Sequence, residues 1–167
     1  MLVAALALVG PAPAWARLPD AYAAIRVQAG PGDAERRFDL RPAIEAARKA
    51  GKPMLLYVGA HDCPYCQVLE RSFGAHADRL APRIRARYVL VEIEGWLRGP
   101  KRVFVLPDGE FGIETINARL GLSERGRRFV WPSFFVLDPG TMKSIKPLSE
   151  GNARYVDPDE AEVELDL

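Results

Sequence analysis

The chain has 167 residues, of which 49% are hydrophobic and 27% charged, and its formal net charge is +1. That length and balance describe one globular domain, long enough to bury a core without disulfide staples or a structural metal. The near-neutral charge excludes the electrostatic footprint of a nucleic-acid binder or of a protein recruited to an acidic surface. Arg83, Arg85 and Arg87 alternate with other residues, and Arg125, Arg127 and Arg128 fall in an expected loop, so both groups read as solvated surface. There is no internal repeat and no low-complexity segment.

Residues 1–16 stand apart because they carry no charge. An apolar run from Leu2 to Val9 is followed by Gly10, Pro11 and Pro13, and then by Ala14-Trp15-Ala16. Hydrophobic region, helix breakers and an A-x-A site in that order predict a signal peptide over 1–16, export to the periplasm, and a mature chain beginning at Arg17. The run is too short to span a bilayer, which needs about 20 residues. No cysteine follows the cleavage site, so no lipid anchor is expected there.

Residues 17–37 read as a lead-in segment, with turn chemistry at Ala29-Gly30-Pro31-Gly32-Asp33 predicting an exposed loop. The main domain is expected over 38–167. Asp39 is the expected N-cap of a helix whose apolar stripe is Leu40, Ala43, Ile44 and Ala47; Pro42 falls in its first turn, and Gly51 and Pro53 end it. Met54 to Val58 is a continuous apolar run, as in a strand covered on both faces. A helix is expected from Pro64, with Cys66, Leu69 and Phe73 on one face, then a second helical piece through Ala77, Leu80, Ala81 and Ile84 that Pro82 should kink or interrupt. Tyr88 to Ile93 reads as a strand.

The stretch 94–128 is less regular. Val103 to Leu106 predicts a short strand before a Pro107-Asp108-Gly109 turn, and Ile113, Ile116 and Leu120 mark a short helix closed by Gly121. Phe129 to Leu137 is the next apolar block. Asp138-Pro139-Gly140 turns the chain into a partner strand within 142–148, kept at a sheet edge by Pro147, and Asp157-Pro158 opens a final short helix. The two strands linked by helix should be parallel, and the two joined by the tight turn antiparallel.

The only two cysteines are Cys63 and Cys66. Their spacing brings two sulfurs within disulfide reach across one helical turn. It also sets the first at a helix N-terminus, where unpaired N–H groups and the helix dipole favour the thiolate, the species that attacks disulfides, so Cys63 is expected exposed at the helix start and Cys66 pointing inward one turn later. A C-x-x-C in a strand–helix–strand context is the redox pattern. Two other readings stand beside it. A structural disulfide closing so short a loop restrains the unfolded chain little. A soft-metal site for copper or zinc would use His61, Cys63 and Cys66, with His76 the only other histidine.

These residues resemble the thioredoxin superfamily. The resemblance is carried by Gly51-Lys52-Pro53-Met54-Leu55-Leu56-Tyr57, by Cys63-Pro64-Tyr65-Cys66, and by Trp131-Pro132-Ser133-Phe134-Phe135-Val136-Leu137-Asp138, and it covers about residues 38–152. The lead-in AARKAGKPMLLYVGA is similar to that of exported thioredoxin-like proteins and of the C-terminal domain of the membrane thiol reductant transporter. The resemblance implies an α/β thioredoxin fold, a central mixed sheet flanked by helices. It implies that Cys63 attacks and Cys66 resolves, and that Pro132 is a cis-proline facing the sulfurs. The Trp131 backbone would pair with an extended substrate segment, and Tyr65 would join the substrate surface. No cofactor is implied beyond a redox-active Cys63–Cys66 disulfide. Partners would be protein thiols and disulfides plus a membrane or periplasmic electron donor, with no nucleic acid, and the chain is expected to be a monomer.

Three departures bear on activity. The buried acid six residues before the first cysteine is Tyr57 here, the tryptophan before the motif is Asp62, and the Pro64-Tyr65 dipeptide is that of glutaredoxins although their Thr-Val-Pro is missing. Loss of a buried negative group favours the Cys63 thiolate and Asp62 opposes it. The expected potential therefore lies between about −270 and −120 mV, with reductant or isomerase the expected direction.

Overall fold

The structure is a computed structural model, and it describes residues 17–29, 35–120, 130–149, 151 and 153–167. The predicted signal peptide and its cleavage site, Gly30 to Asp33 of the predicted loop, the helix-closing Gly121, the arginines at 125, 127 and 128, and Phe129 lie outside the described residues.

A five-stranded mixed sheet forms the centre. Its strands are β1 (Ile25–Gln28), β3 (Met54–Ala60), β4 (Val89–Gly95), β7 (Ser133–Leu137) and β8 (Ser144–Lys146), in the spatial order β1-β4-β3-β7-β8. β3 and β4 are parallel, while β7 runs antiparallel to both β3 and β8, as the connections require. β8 lies at the edge, where Pro147 costs no interior ladder bond. The helices are α1 (Arg41–Ala50), α2 (Pro64–Ala75), α3 (Ala77–Arg87), α4 (Ile113–Arg119) and α5 (Pro158–Glu164).

The expected lead-in is built into the sheets. After a 3-10 turn at Asp20–Tyr22, β1 joins β4 in parallel, pairing Ile25 with Val91 and Gln28 with Glu94. β2 (Glu35–Asp39) opens a second sheet of order β2-β5-β6, with β5 (Lys101–Leu106) parallel to it and β6 (Gly109–Gly112) returning antiparallel. Much of the irregular stretch after β4 is therefore a small sheet. Its β5 is the strand expected at Val103 to Leu106, begun two residues earlier, whereas β2 and β6 were not expected, and β2 lies more than sixty residues upstream of the strand it pairs with.

Three local expectations change. Asp39 ends β2 and Leu40 is the N-cap of α1, although the Asp39 carboxylate still accepts from the Arg41 N–H at 3.0 Å. Pro82 does not interrupt its helix: α3 runs through it, losing one backbone bond while burying Leu80, Ala81 and Ile84. β3 extends beyond Val58 to Ala60, which carries the chain straight into the cysteine loop.

Period-two alternation sorts the core onto the two faces of the central sheet. Met54, Leu56, Val58, Phe135 and Leu137 point to one side, where α1, α4 and the aromatic pair Phe38–Phe104 of the second sheet cover them. Leu55, Tyr57, Phe134 and Val136 point to the other, packing on Leu69, Phe73, Leu80, Ile84, Tyr155 and Leu165. There Phe134 is the hub of an aromatic cluster, 5.0 Å from Tyr57, 5.6 Å from Phe73 and 4.8 Å from Tyr155 by ring centroids.

Candidate active site

β3 is the middle strand, and the chain leaves its C-terminal end directly into α2, so Cys63 sits at the crevice beyond a strand end where open α/β sheets place their sites. Cys63 is the N-cap of α2, with extended backbone, and Pro64 takes the first helical position, where its missing N–H costs nothing. The Cys63 Sγ accepts the Cys66 N–H at 3.2 Å. The first sulfur thus terminates the helix's N–H groups, and the second lies one turn inside. Both cysteines are free thiols.

β7 runs antiparallel to β3 with Ser133 opposite Val58, so the residues before β7 necessarily arrive beside the cysteine loop. The Trp131–Pro132 peptide is cis. Pro132 is buried, and the half-buried Trp131 packs against a cluster of Ala60, Cys63 and Cys66. The sequence-selected residues are therefore neighbours in space, while Tyr65 stands outward at the rim, 65% exposed.

One expectation is corrected. The exposed position expected for Cys63 is not found: Cys63 is only 2% exposed, and Cys66 is fully buried. Trp131, a tertiary neighbour that the position of Cys63 in its own helix does not reveal, packs against the cluster of Cys63, Cys66 and Ala60. Burial, the Cys63 sulfur and then Glu70 push the Cys66 thiol up, and its hydrogen bonding with the Ala60 backbone only partly offsets them.

The absent acid has a substitute that the sequence reading missed. Glu70 is on α2 four residues after Cys66, and it is buried. The Tyr57 hydroxyl donates to its Oε1 at 2.7 Å, and its Oε2 is buried with no hydrogen-bond partner among the described residues. Burial pushes the carboxyl up to about 7; the Tyr57 hydrogen bond pulls the other way, while Glu92 and Glu94 add to the rise. Gly59 makes room for this pair, since a Cβ there would lie 2.6 Å from the Tyr57 hydroxyl. The available signal was a carboxylate on the Cys66, Leu69, Phe73 face of an otherwise apolar stripe.

The second sheet reaches the site through residues 96–102. Asp62 Oδ1 accepts the Leu97 N–H at 2.7 Å, and the His61 N–H donates to the Gly95 carbonyl at 3.0 Å. The His61 ring meets Trp96 edge-on at 5.1 Å and its Nε2 lies 3.9 Å from Glu94 Oε2. Among the described residues, no group of three or more His, Cys, Asp or Glu side chains is arranged to hold a metal ion, so the geometry lends no support to the His61, Cys63, Cys66 metal reading.

No curated protein and no solved structure matches the chain. A family model described as thioredoxin-like matches residues 33–139. Such domains point to thiol–disulfide redox chemistry, in keeping with two thiols at a helix N-terminus beside a cis-proline. Because that match covers more than half of its length, the chain belongs to the thioredoxin-like family.

Proposed function

We propose that this chain is an extracytoplasmic thiol–disulfide oxidoreductase acting on protein substrates, a reductant or isomerase kept reduced by a membrane or periplasmic dithiol donor. The observation that carries the reading is the Cys63 sulfur, held at the start of α2 by the Cys66 N–H with Cys66 one turn inside. The Cys66 N–H thus points at the sulfur that attacks. The exported location rests on the sequence of residues 1–16.

In the forward direction the Cys63 thiolate attacks one sulfur of a substrate disulfide. A Cys63–substrate disulfide forms, and the other substrate sulfur leaves as a thiolate and takes a proton from solvent. Cys66 then loses its proton, for which the buried Glu70 carboxylate on the same face of α2 is the acceptor, directly or through a water, and attacks the Cys63 sulfur. The mixed disulfide breaks, the second substrate thiolate departs, and the Cys63–Cys66 disulfide remains, so the substrate gains two electrons and the pair loses two. A carboxyl titrating at about 7 is matched to accept and return that proton near neutral pH. Three exposed apolar side chains, Tyr65, Val68 and Leu97, flank this end of the molecule and suit a polypeptide partner.

The test is reduction of insulin disulfides by a dithiol, catalysed by the purified mature chain, beside copper and zinc titration of the same protein. Catalysis that Cys63→Ser abolishes is the expected outcome. Stoichiometric metal binding with no exchange activity would overturn the proposal in favour of a metal carrier.

A further inference from the structure

Cys63 is the nucleophile of the function proposed above, on which this inference rests, yet it is 2% exposed. A disulfide sulfur must reach it, so part of its cover has to move. The half-buried hydrophobic side chain packed on the Ala60, Cys63, Cys66 cluster is Trp131. Its ring is clamped. The Arg102 guanidinium lies over it, 5.2 Å from the ring centroid. Its far edge rests on Gly95, where a Cβ would come within 3.3 Å of the ring's Cη2.

Arg102 is itself held. Its Nη2 donates to the carbonyls of Trp96 and Leu97. The Leu97 N–H is in turn bound by Asp62, the residue before Cys63. A side chain from β5 of the second sheet thereby ties the ring packed on the Ala60, Cys63, Cys66 cluster to the loop that carries the sulfurs.

We propose that Arg102 is a positioning residue that latches Trp131 over Cys63, and that the latch selects extended protein segments over small disulfides. A polypeptide can offset the displaced stacking with backbone hydrogen bonds beside residue 131. A compact disulfide such as oxidised glutathione has far less backbone to offer. Loss of a cation–π contact of this kind opens the cover by about three- to tenfold.

The experiment measures the iodoacetamide alkylation rate of reduced protein in a Cys66→Ser background, where Cys63 is the only thiol. Arg102→Leu is expected to accelerate alkylation about three- to tenfold, and Arg102→Lys less, because the cation remains while the guanidinium fork is lost. In proteins with both cysteines, Arg102→Leu should lower the kcat/KM ratio of insulin to oxidised glutathione. A purely electrostatic role has the opposite sign, because removing a positive charge disfavours the thiolate and slows alkylation.

General loosening of the fold is separated by a double-mutant cycle with Trp131→Ala. The single Trp131→Ala change should accelerate alkylation at least as much, and adding Arg102→Leu to it should change the rate little. An unchanged or slower rate in Arg102→Leu overturns the latch, and so do multiplicative rates in the cycle. The alkylation rates need no exchange activity, so the latch and the oxidoreductase reading can fail separately.

Discussion

Tyr57 donates its hydroxyl to Glu70 Oε1 at 2.7 Å, and a carboxyl is thereby held in the core beneath the site although position 57 carries none. Glu70 raises the Cys66 thiol further, behind the larger effects of burial and the neighbouring sulfur. The expectation that no acid lies beneath the sulfurs, and with it one reason for an oxidising poise, is therefore corrected.

Glu70→Gln keeps the acceptor for Tyr57 and removes the proton site. Resolution of the mixed disulfide should slow by roughly tenfold or more, so mixed disulfides with substrate persist. Loss of the negative charge should also make the pair more oxidising, by about 15–30 mV, which corresponds to about 1 kcal/mol for a two-electron couple. Because the carboxyl titrates at about 7, that difference from wild type should grow between pH 6 and pH 8. Equilibration in glutathione buffers across that range measures it, and a pH-independent difference would leave Glu70 a packing role only.

Glu92 is buried against the N-terminal segment, where it accepts the Leu18 N–H at 2.9 Å and an Arg26 N–H at 3.3 Å. Burial is the largest effect on it and pushes its carboxyl up to about 7, as it does for Glu70. A carboxyl raised on folding binds its proton more tightly in the native state. Its stabilisation is present below the unfolded value near 4.5 and is lost as pH climbs to about 7, on the order of 3 kcal/mol for one such group. Glu162, held down to about 2 chiefly by its hydrogen bond with Arg79, has the reverse sign and weakens the fold below about 4.5. Urea midpoints should therefore be highest near pH 5, and Glu92→Gln should flatten the decline between pH 5 and pH 7. An equally steep decline in that variant would show that Glu92 does not carry it.

The two cysteines should behave unequally. Cys66→Ser is expected to accumulate mixed disulfides with substrate proteins, because the resolving sulfur is gone, and Cys63→Ser should accumulate none. Trapping from a cell extract followed by non-reducing electrophoresis distinguishes them. Comparable yields from both variants would remove the nucleophile assignment.

Processing supplies a prediction that rests on residues 1–16 alone. N-terminal sequencing of protein recovered from a periplasmic fraction should begin at Arg17. Full-length protein confined to the cytoplasm would overturn export.

Phe134→Ala should be the most damaging of the simple core truncations. It empties the hub that touches Tyr57, Phe73 and Tyr155, at a cost of about 3–5 kcal/mol in chemical unfolding. It also removes support from Tyr57 and therefore from Glu70. A loss under 1 kcal/mol would mean that the cluster repacks.

What the sequence determined on its own is what short-range chemistry controls. The Cys63–Cys66 spacing, Pro64 at the first helical position and Gly51 with positive φ at the end of α1 are all decided within a turn or two of chain, and the apolar run of β3 announces a strand buried on both faces. Connection length alone then set which pairs are parallel. Tertiary structure decided everything that joins distant segments. β1 reaches β4 and β2 reaches β5 across more than sixty residues, so although β5 itself was legible as a strand, its pairing with β2 and the place of the lead-in in the two sheets were not. Glu70 looks like any helix carboxylate until β3 delivers the Tyr57 hydroxyl to it. Arg102 looks like a strand-surface arginine until the chain brings Trp131 beneath its guanidinium. The burial of Cys63 has the same origin, because a side chain's exposure depends on what the rest of the chain packs around it, and its cluster with Ala60 and Cys66 is packed by a tryptophan sixty-eight residues away.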